Sequence, residues 1–181
     1  MSRDRGNGPG EWVLLSYRMP REPSTPRISV WRKLKRLGIA QLSDGLVALP
    51  ADARTREQLE WIADEVIEAG GSAGIWLARP AALAQERDLA AGMAAARTQE
   101  YRSVIAQAAQ ALATDETART ATARRLRGEL RRITRRDYFP PPERDHAHAA
   151  VQDLLDQAAA EQEAAGQEAA AEQAEQKEEQ P

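Results

Sequence analysis

Hydrophobic residues in the first 80 positions come in short blocks that proline and glycine separate. The block at 11–19, EWVLLSYRM, lies between a glycine and a proline and is rich in strand-forming residues. It predicts a buried β-strand. A helix is predicted next, because Thr25 followed by Pro26 is typical of a helix start, and its end is expected at Gly38.

The following blocks predict a hairpin, a second helix and a fourth strand. IAQL and LVAL flank Ser-Asp-Gly, and Asp-Gly between two short apolar runs is typical of a hairpin turn. Thr55 with Gln58 three residues later resembles a capping box at a helix start. One face of that helix is expected to be apolar, with Leu59, Ile62 and Val66 on it. SAGIWLAR at 72–79 then predicts the last strand.

The predicted elements therefore read β-α-β-β-α-β over residues 11–80 and indicate an α+β fold with a ferredoxin-like antiparallel sheet. Residues 81–155 are predicted to form a helical extension, since apolar residues recur there at helical spacing. Two stripes are expected to pack on each other or on the sheet; they are Tyr101, Val104, Ile105, Ala108 and Leu112, and Leu126, Leu130 and Ile133.

Prolines and low-complexity sequence mark the ends of this organisation. Three consecutive prolines follow Tyr138 and Phe139, and a short last helix is expected from about Glu143 to Leu155. Residues 1–10 are expected to be disordered. The Ala/Glu/Gln segment 156–181 is also expected to be disordered, at most transiently helical and not packed, because it has no large apolar residue to offset its ordering entropy.

Composition narrows the classes of function. The chain has no Cys, which excludes disulfides, thiolate metal sites and a cysteine nucleophile. No apolar run approaches the length of a membrane span and no secretory signal is recognisable, so we expect a cytoplasmic protein without membrane contact. The net charge of −3 combines an acidic segment 156–181 with a mildly basic remainder.

The predicted first helix carries five basic residues in ten positions, RISVWRKLKR at 27–36, without an acid. At 100° per residue, one arc holds Val30, Trp31, Leu34 and Leu37, and the opposite arc holds Arg32, Lys33, Lys35 and Arg36. The cations could simply face water. A surface of one sign also attracts phosphates, so these four residues are candidates for contact with DNA phosphate.

A second basic cluster lies at 124–136, where seven Arg occur against Glu129 alone. Arginine without lysine favours bidentate recognition of oxyanions or of nucleic-acid phosphate. We expect Arg124 and Arg125 to contact phosphate, and a second set to hold an oxyanion; that set is Arg127, Arg131, Arg132 and Arg135. The alternative is a solvated helix surface that pairs with acidic segments of the chain.

The sequence contains few of the motifs that are typical of enzymes. His146 and His148 are two residues apart in a predicted helix, which is the wrong spacing for a metal pair. Paired carboxylates, a glycine-rich phosphate loop and a G-x-S-x-G elbow are absent from the sequence. We therefore expect no catalysis, no metal and no cofactor. The four tryptophans each lie in or beside an apolar element and are predicted to pack in the core.

Several segments together resemble the N-terminal domain of ChrB, the chromate resistance regulatory protein of bacteria. They are PREPS after the first strand, the VWRKLKRLG helix, the DGLVALP hairpin arm and RDYFP before the last helix. The resemblance covers most of residues 11–155. It implies a transcription regulator that binds promoter DNA and responds to chromate, a tetrahedral dianion that several arginines would suit.

The β-α-β-β-α-β order also looks like the ferredoxin-like domain of PaaX-type repressors and of the small CRISPR adaptation nuclease. In the nuclease, an Asp at the end of the first strand binds metal. The corresponding residues here are Ser16, Tyr17, Arg18 and Met19, so nuclease activity is not expected. By analogy with these relatives we expect a homodimer.

Two hypotheses of function follow from the sequence. The first is a chromate-resistance regulator that binds promoter DNA through its basic helices and responds to chromate. The alternative is a dimeric interaction module without catalysis or DNA affinity, whose basic helix docks an acidic partner or the acidic segment of the chain itself.

Overall fold

The computed structural model describes residues 10–178, apart from the side chains of residues 161, 165 and 168–178. Its elements are, in chain order, β1 (Trp12–Arg18), α1 (Ser24–Leu37), β2 (Ala40–Ser43), β3 (Leu46–Pro50), α2 (Ala53–Glu68), β4 (Ser72–Ala78), α3 (Leu83–Ala111), α4 (Glu116–Thr134) and α5 (Glu143–Glu178). The described chain divides into two compact units. We call them the sheet unit (residues up to Ala96, with Arg136–Pro140) and the helical unit (Arg97–Arg135, with residues from Pro141 on).

The sheet unit is built on four antiparallel strands in the order β2-β3-β1-β4. Because β1 is central, Val13 and Leu15 are buried opposite Leu49 and Val47 of β3. One apolar cluster joins them to Val30 and Leu34 of α1 and to Leu59, Ile62 and Val66 of α2. The expectation of an α+β fold with a four-stranded antiparallel sheet and a largely helical second half is confirmed.

The segment that precedes the three prolines belongs to the sheet unit. Phe139 stacks on Trp12 with ring centroids 6.0 Å apart, and the Tyr138 hydroxyl donates to the Leu37 carbonyl oxygen (3.1 Å). Residues 81–96 also belong to this unit, and Met93 is buried in its core. The sheet unit is therefore larger than the predicted 11–80 segment.

The helical unit buries one apolar face of each of its three helices. Tyr101, Val104 and Ala108 of α3 meet Leu126, Leu130 and Ile133 of α4, and α5 adds Ala147, Val151 and Leu154. The two predicted stripes thus pack on each other, except that Leu112 is exposed, because α3 ends at Ala111. Arg102 of α3 donates to Glu143 of α5 (2.7 Å). The pKa of Glu143 is lowered, first by its own backbone N–H and then by Arg102.

The starts of α1 and α2 differ from the sequence-based expectation. α1 begins at Ser24 after an extended Pro23, so Pro26 lies within the first turn, where a missing N–H costs little. α2 begins at Ala53 with Asp52 as its N-cap. The capping box therefore pairs Asp52 with Thr55, whose N–H donates to the Asp52 carboxylate (2.7 Å), and not Thr55 with Gln58.

Helix α5 continues to Glu178, so the predicted end of the last helix near Leu155 is wrong, whereas the disorder expected over residues 156–181 stays a prediction. Ala, Glu and Gln are strong helix formers, and Ala158 is buried, which extends the packed face beyond Leu155. Residues 179–181 lie outside the described residues. Residues 1–9, which make up most of the segment 1–10 predicted to be disordered, lie outside them as well.

Candidate nucleic-acid interface

The basic arc of α1 is only partly available to a ligand. Arg32, Lys35 and Arg36 are exposed as predicted. Lys33 forms an ion pair with Glu65 of α2, and Glu65 also accepts from the Ser29 hydroxyl (3.3 Å). Lys33 therefore bridges two helices, which weakens its candidacy as a phosphate contact.

Lys35 and Trp31 contact each other on the surface of α1. The Lys35 ammonium nitrogen lies 4.6 Å from the Trp31 ring centroid, within the range of a cation-π contact. Trp31 and Leu37 are half-buried, whereas Val30 and Leu34 are fully buried. The two predicted faces of α1 are present, and Trp31 lies at their boundary.

Helix α4 presents a line of arginines opposite its packed face. Asp115 caps the helix by accepting from the Ala118 N–H (2.9 Å). Four arginines at spacings of 3, 4 and 4 residues then fall on one side, and we call them the α4 arginine stripe: Arg124, Arg127, Arg131 and Arg135. All four side chains are exposed, and none of these side chains has an ion-pair or hydrogen-bond partner among the described residues. The stripe extends over roughly 16 Å of helix.

The neighbouring arginines of α4 have different environments. Arg125 donates to the Gln107 side chain (2.8 Å) and contacts Glu129 (3.4 Å), so it links α4 to α3. This bonding disfavours the prediction that Arg125 contacts phosphate. Arg132 is exposed at the edge of the stripe, and Arg136 is half-buried and belongs to the sheet unit.

The set predicted to hold an oxyanion, Arg127, Arg131, Arg132 and Arg135, lies on this exposed helix surface. Three of its members therefore belong to the stripe. An anion bound there would keep much of its water, because the side chains project from a convex helix. This placement suits contact with an extended polyanion better than enclosure of a small ion.

Two tryptophans are exposed, although all four were predicted to pack in the core. Trp12 is buried, but Trp61 is 64% exposed and Trp76 is 60% exposed. At 100° per residue Trp61 falls opposite Leu59 and Val66, so helical periodicity could have identified it. Trp76 lies on edge strand β4, and its indole N–H donates to the Ser16 hydroxyl (3.1 Å).

Over the described residues, no helix is long and apolar enough to cross a bilayer. Within the same part of the chain, no group of three or more His, Cys, Asp or Glu side chains is placed to hold a metal ion. His146 and His148 are both exposed, and His148 approaches the Thr134 hydroxyl (3.4 Å).

The fold and these surfaces define a class of small α+β protein in which a four-stranded antiparallel sheet is followed by helices that expose arginines. Comparison with known proteins then identifies the family. The chain belongs to the family described as "Protein ChrB, N-terminal", whose model matches residues 27–175. This finding confirms the resemblance seen in the sequence.

One curated relative agrees with this assignment, and one solved structure shares the fold. Protein ChrB of Cupriavidus metallidurans is 28% identical over 133 residues, which are 71% of this chain and 40% of that protein. The solved structure of the uncharacterized protein Rv0674 from Mycobacterium tuberculosis is similar in fold, with a TM-score of 0.54 at 18% identity. That likeness covers 86% of this chain and 63% of that one. The chain thus spans less than half the length of the curated relative that it matches.

Proposed function

We propose that this chain is a regulator in chromate resistance that binds promoter DNA through the α4 arginine stripe. The observation that carries the proposal is the stripe itself: Arg124, Arg127, Arg131 and Arg135 are exposed, aligned and without partners among the described residues. Family membership supports the regulatory role, since the curated relative is a ChrB protein. The response to chromate belongs to the same proposal and rests on the family alone.

The spacing of the stripe suits a phosphate backbone. Successive arginines lie about 4.5 to 6 Å apart along the helix axis, and DNA carries one phosphate per about 3.4 Å of axis on each strand. Long guanidinium side chains can adjust over that difference and bind phosphate oxygens bidentately. Contacts of this kind supply affinity and register without reading base sequence.

The exposed cations of α1 offer a second contact. Arg32, Lys35 and Arg36 have no acidic partner among the described residues, whereas Lys33 is paired with Glu65. We expect Lys33 to contribute least to DNA affinity. Because α1 and α4 lie in different units, each cluster is proposed as a phosphate contact by itself.

The fold assignment can also be made more specific. The strand order β2-β3-β1-β4, with helices after β1 and β3, is the arrangement that a split β-α-β topology requires. This order supports a ferredoxin-like sheet unit. A homodimer remains part of the proposal by analogy.

Binding of a labelled duplex from the region upstream of the gene tests the proposal, with fluorescence anisotropy as the readout. The variant R127Q/R131Q/R135Q removes three stripe residues. A matched control, R21Q/R79Q/R87Q, removes the same charge from exposed positions outside the two basic helices. We expect the stripe variant to bind at least about tenfold more weakly, since charged hydrogen bonds to phosphate are lost, and the control to change little.

Equal weakening of both variants would contradict a specific role for the stripe, because net charge alone would then explain binding. Absence of binding by the unmodified chain at low salt would contradict the whole proposal and favour the interaction module. Circular dichroism of each variant confirms that its helices are intact. All six substituted side chains are exposed, so no loss of folding is expected.

A further inference from the structure

A cavity of about 500 Å³ opens on the sheet unit. Its lining residues lie between Tyr17 and Gly45 in the sequence, and none of them belongs to the α4 arginine stripe. Its walls come from the first half of α1, from the end of β1 with Met19, and from the β2-β3 hairpin. This volume is within the range of small-molecule sites, about 300 to 1,000 Å³. The cavity has no role in the proposed contact with DNA.

The floor of the cavity is held by the hairpin turn. The Tyr17 N–H donates to the Gly45 carbonyl oxygen (2.7 Å), which ties the turn to the end of β1. Gly45 has φ of 72°, and a Cβ there would lie 2.3 Å from the Tyr17 carbonyl oxygen. The close approach of the two backbones therefore requires glycine and fixes one side of the cavity.

One wall of the cavity is apolar. Ile28 is 47% exposed, although it lies in the middle of the first two turns of α1. Trp31 and Met19 are half-buried and pack on the core with their other sides. This wall would gain from contact with an apolar group, because its exposed area leaves water on binding.

The polar groups at the cavity are mainly donors. The Arg18 and Arg27 side chains are exposed and have no ion-pair or hydrogen-bond partner in the part of the chain that the structure describes. Burial raises the pKa of the Tyr17 phenol, and the charge of Asp44 raises it further, so this hydroxyl stays protonated at neutral pH. Two cations face the single carboxylate of Asp44, and the balance favours an anion.

We propose that this cavity binds a small organic anion with a flat apolar body, of the class of aromatic carboxylates. The carboxylate would meet Arg18 and Arg27, with the Tyr17 hydroxyl as a further donor, and the ring would lie against Ile28, Met19 and Trp31. An inorganic tetrahedral oxyanion could satisfy the guanidinium groups but would leave the apolar wall in water. The site is thus distinct from the oxyanion contact predicted on α4.

Titration of the full chain with 2-naphthoate tests this assignment, by calorimetry and by amide shifts in ¹H-¹⁵N NMR spectra. We expect saturable binding of one ligand, with the largest shifts around Tyr17, Ile28 and Gly45. The neutral analogue 2-naphthalenemethanol should bind at least about tenfold more weakly, because it lacks the charge that the guanidinium groups recognise.

Variants R18Q and R27Q should each weaken 2-naphthoate binding by about tenfold or more, whereas R87Q, an exposed position in α3, should leave it unchanged. Unchanged melting temperatures of these variants show that the fold is retained. The assignment is overturned if the acid and the alcohol bind equally, if the shifts map elsewhere, if sulfate displaces 2-naphthoate at equal concentration, or if no saturable binding occurs. None of these outcomes depends on DNA binding.

Discussion

Trp12 and Trp31 occupy different depths of the same core. Trp12 is 2% exposed and stacks on Phe139, whereas Trp31 is half-buried and has the Lys35 ammonium over its ring. The loss on truncation depends on the area that each ring removes from water and on the cavity that is left. The two residues should therefore differ in their contribution to stability, although the sequence presents both as core tryptophans.

We expect Trp12→Ala to lower the free energy of unfolding by about 3 to 5 kcal/mol, the range of fully buried aromatic residues. Trp31→Ala should cost less, about 1 to 3 kcal/mol, since part of its ring already faces water. Urea denaturation followed by circular dichroism measures both. Equal losses would show that Trp31 is as deeply buried as Trp12, contrary to the structure.

Whether a basic side chain is available to an external partner depends on whether a residue of the protein itself already binds it. Lys33 and Arg125 were candidates for phosphate contact by their position in a basic run, yet Glu65 and Gln107 bind them within the protein. These partners lie 32 and 18 residues away, so no local pattern reveals them. Arg32 and the α4 arginine stripe show the opposite case, where the predicted exposure holds.

At the scale of elements, glycine, proline and Asp-Gly signals in the sequence predicted most ends of helices and strands correctly. Gly38 ends α1 with φ of 73°, the Asp-Gly turn joins β2 to β3, and the two apolar stripes of α3 and α4 pack as expected. Helix starts were less predictable, because several neighbouring side chains can act as the cap: Asp52 caps α2, and Thr55, which the sequence suggested as the cap, is its reciprocal partner three residues later. Trp76 shows that an edge strand can leave a large ring in water.

Helix α5 is longer than the sequence-based expectation, which placed its end near Leu155. The composition of residues 156–181 argues against a packed core, but it does not argue against a helix, because Ala, Glu and Gln all have high helix propensity. The first turns of α5 are anchored by Ala147, Val151 and Leu154. Once these turns are fixed, continuation of the helix needs no new nucleus.

Gly166 lies in the second half of α5, and its substitution tests whether the helix continues through this segment. A Cβ at Gly166 would meet no atom within 4 Å, so Gly166→Ala should gain helix propensity without a steric cost. We expect higher helicity in the far-ultraviolet circular dichroism spectrum and a gain of up to about 1 kcal/mol in local helix stability. Unchanged helicity would indicate that this segment is not helical in solution.

At the scale of the whole molecule, charge is divided between regions of opposite sign. Residues 156–181 contain eight acidic residues and one Lys, while the basic residues cluster on α1 and α4. A net charge of −3 would by itself disfavour DNA. The proposed binding of DNA therefore depends on local arrangement, and in the described chain the α4 arginine stripe groups four exposed arginine side chains that have no ion-pair partner.

The most direct test of the central claim is the salt dependence of DNA binding, measured from about 50 to 200 mM salt for the unmodified chain and for R127Q/R131Q/R135Q. Each phosphate contact contributes about −0.9 to the slope of log Kobs against log salt concentration, so the loss of three contacts should reduce the slope by about 2.7. The control R21Q/R79Q/R87Q should keep the slope of the unmodified chain. If the stripe variant also keeps that slope, the α4 arginine stripe does not contact the phosphate backbone and the account is contradicted.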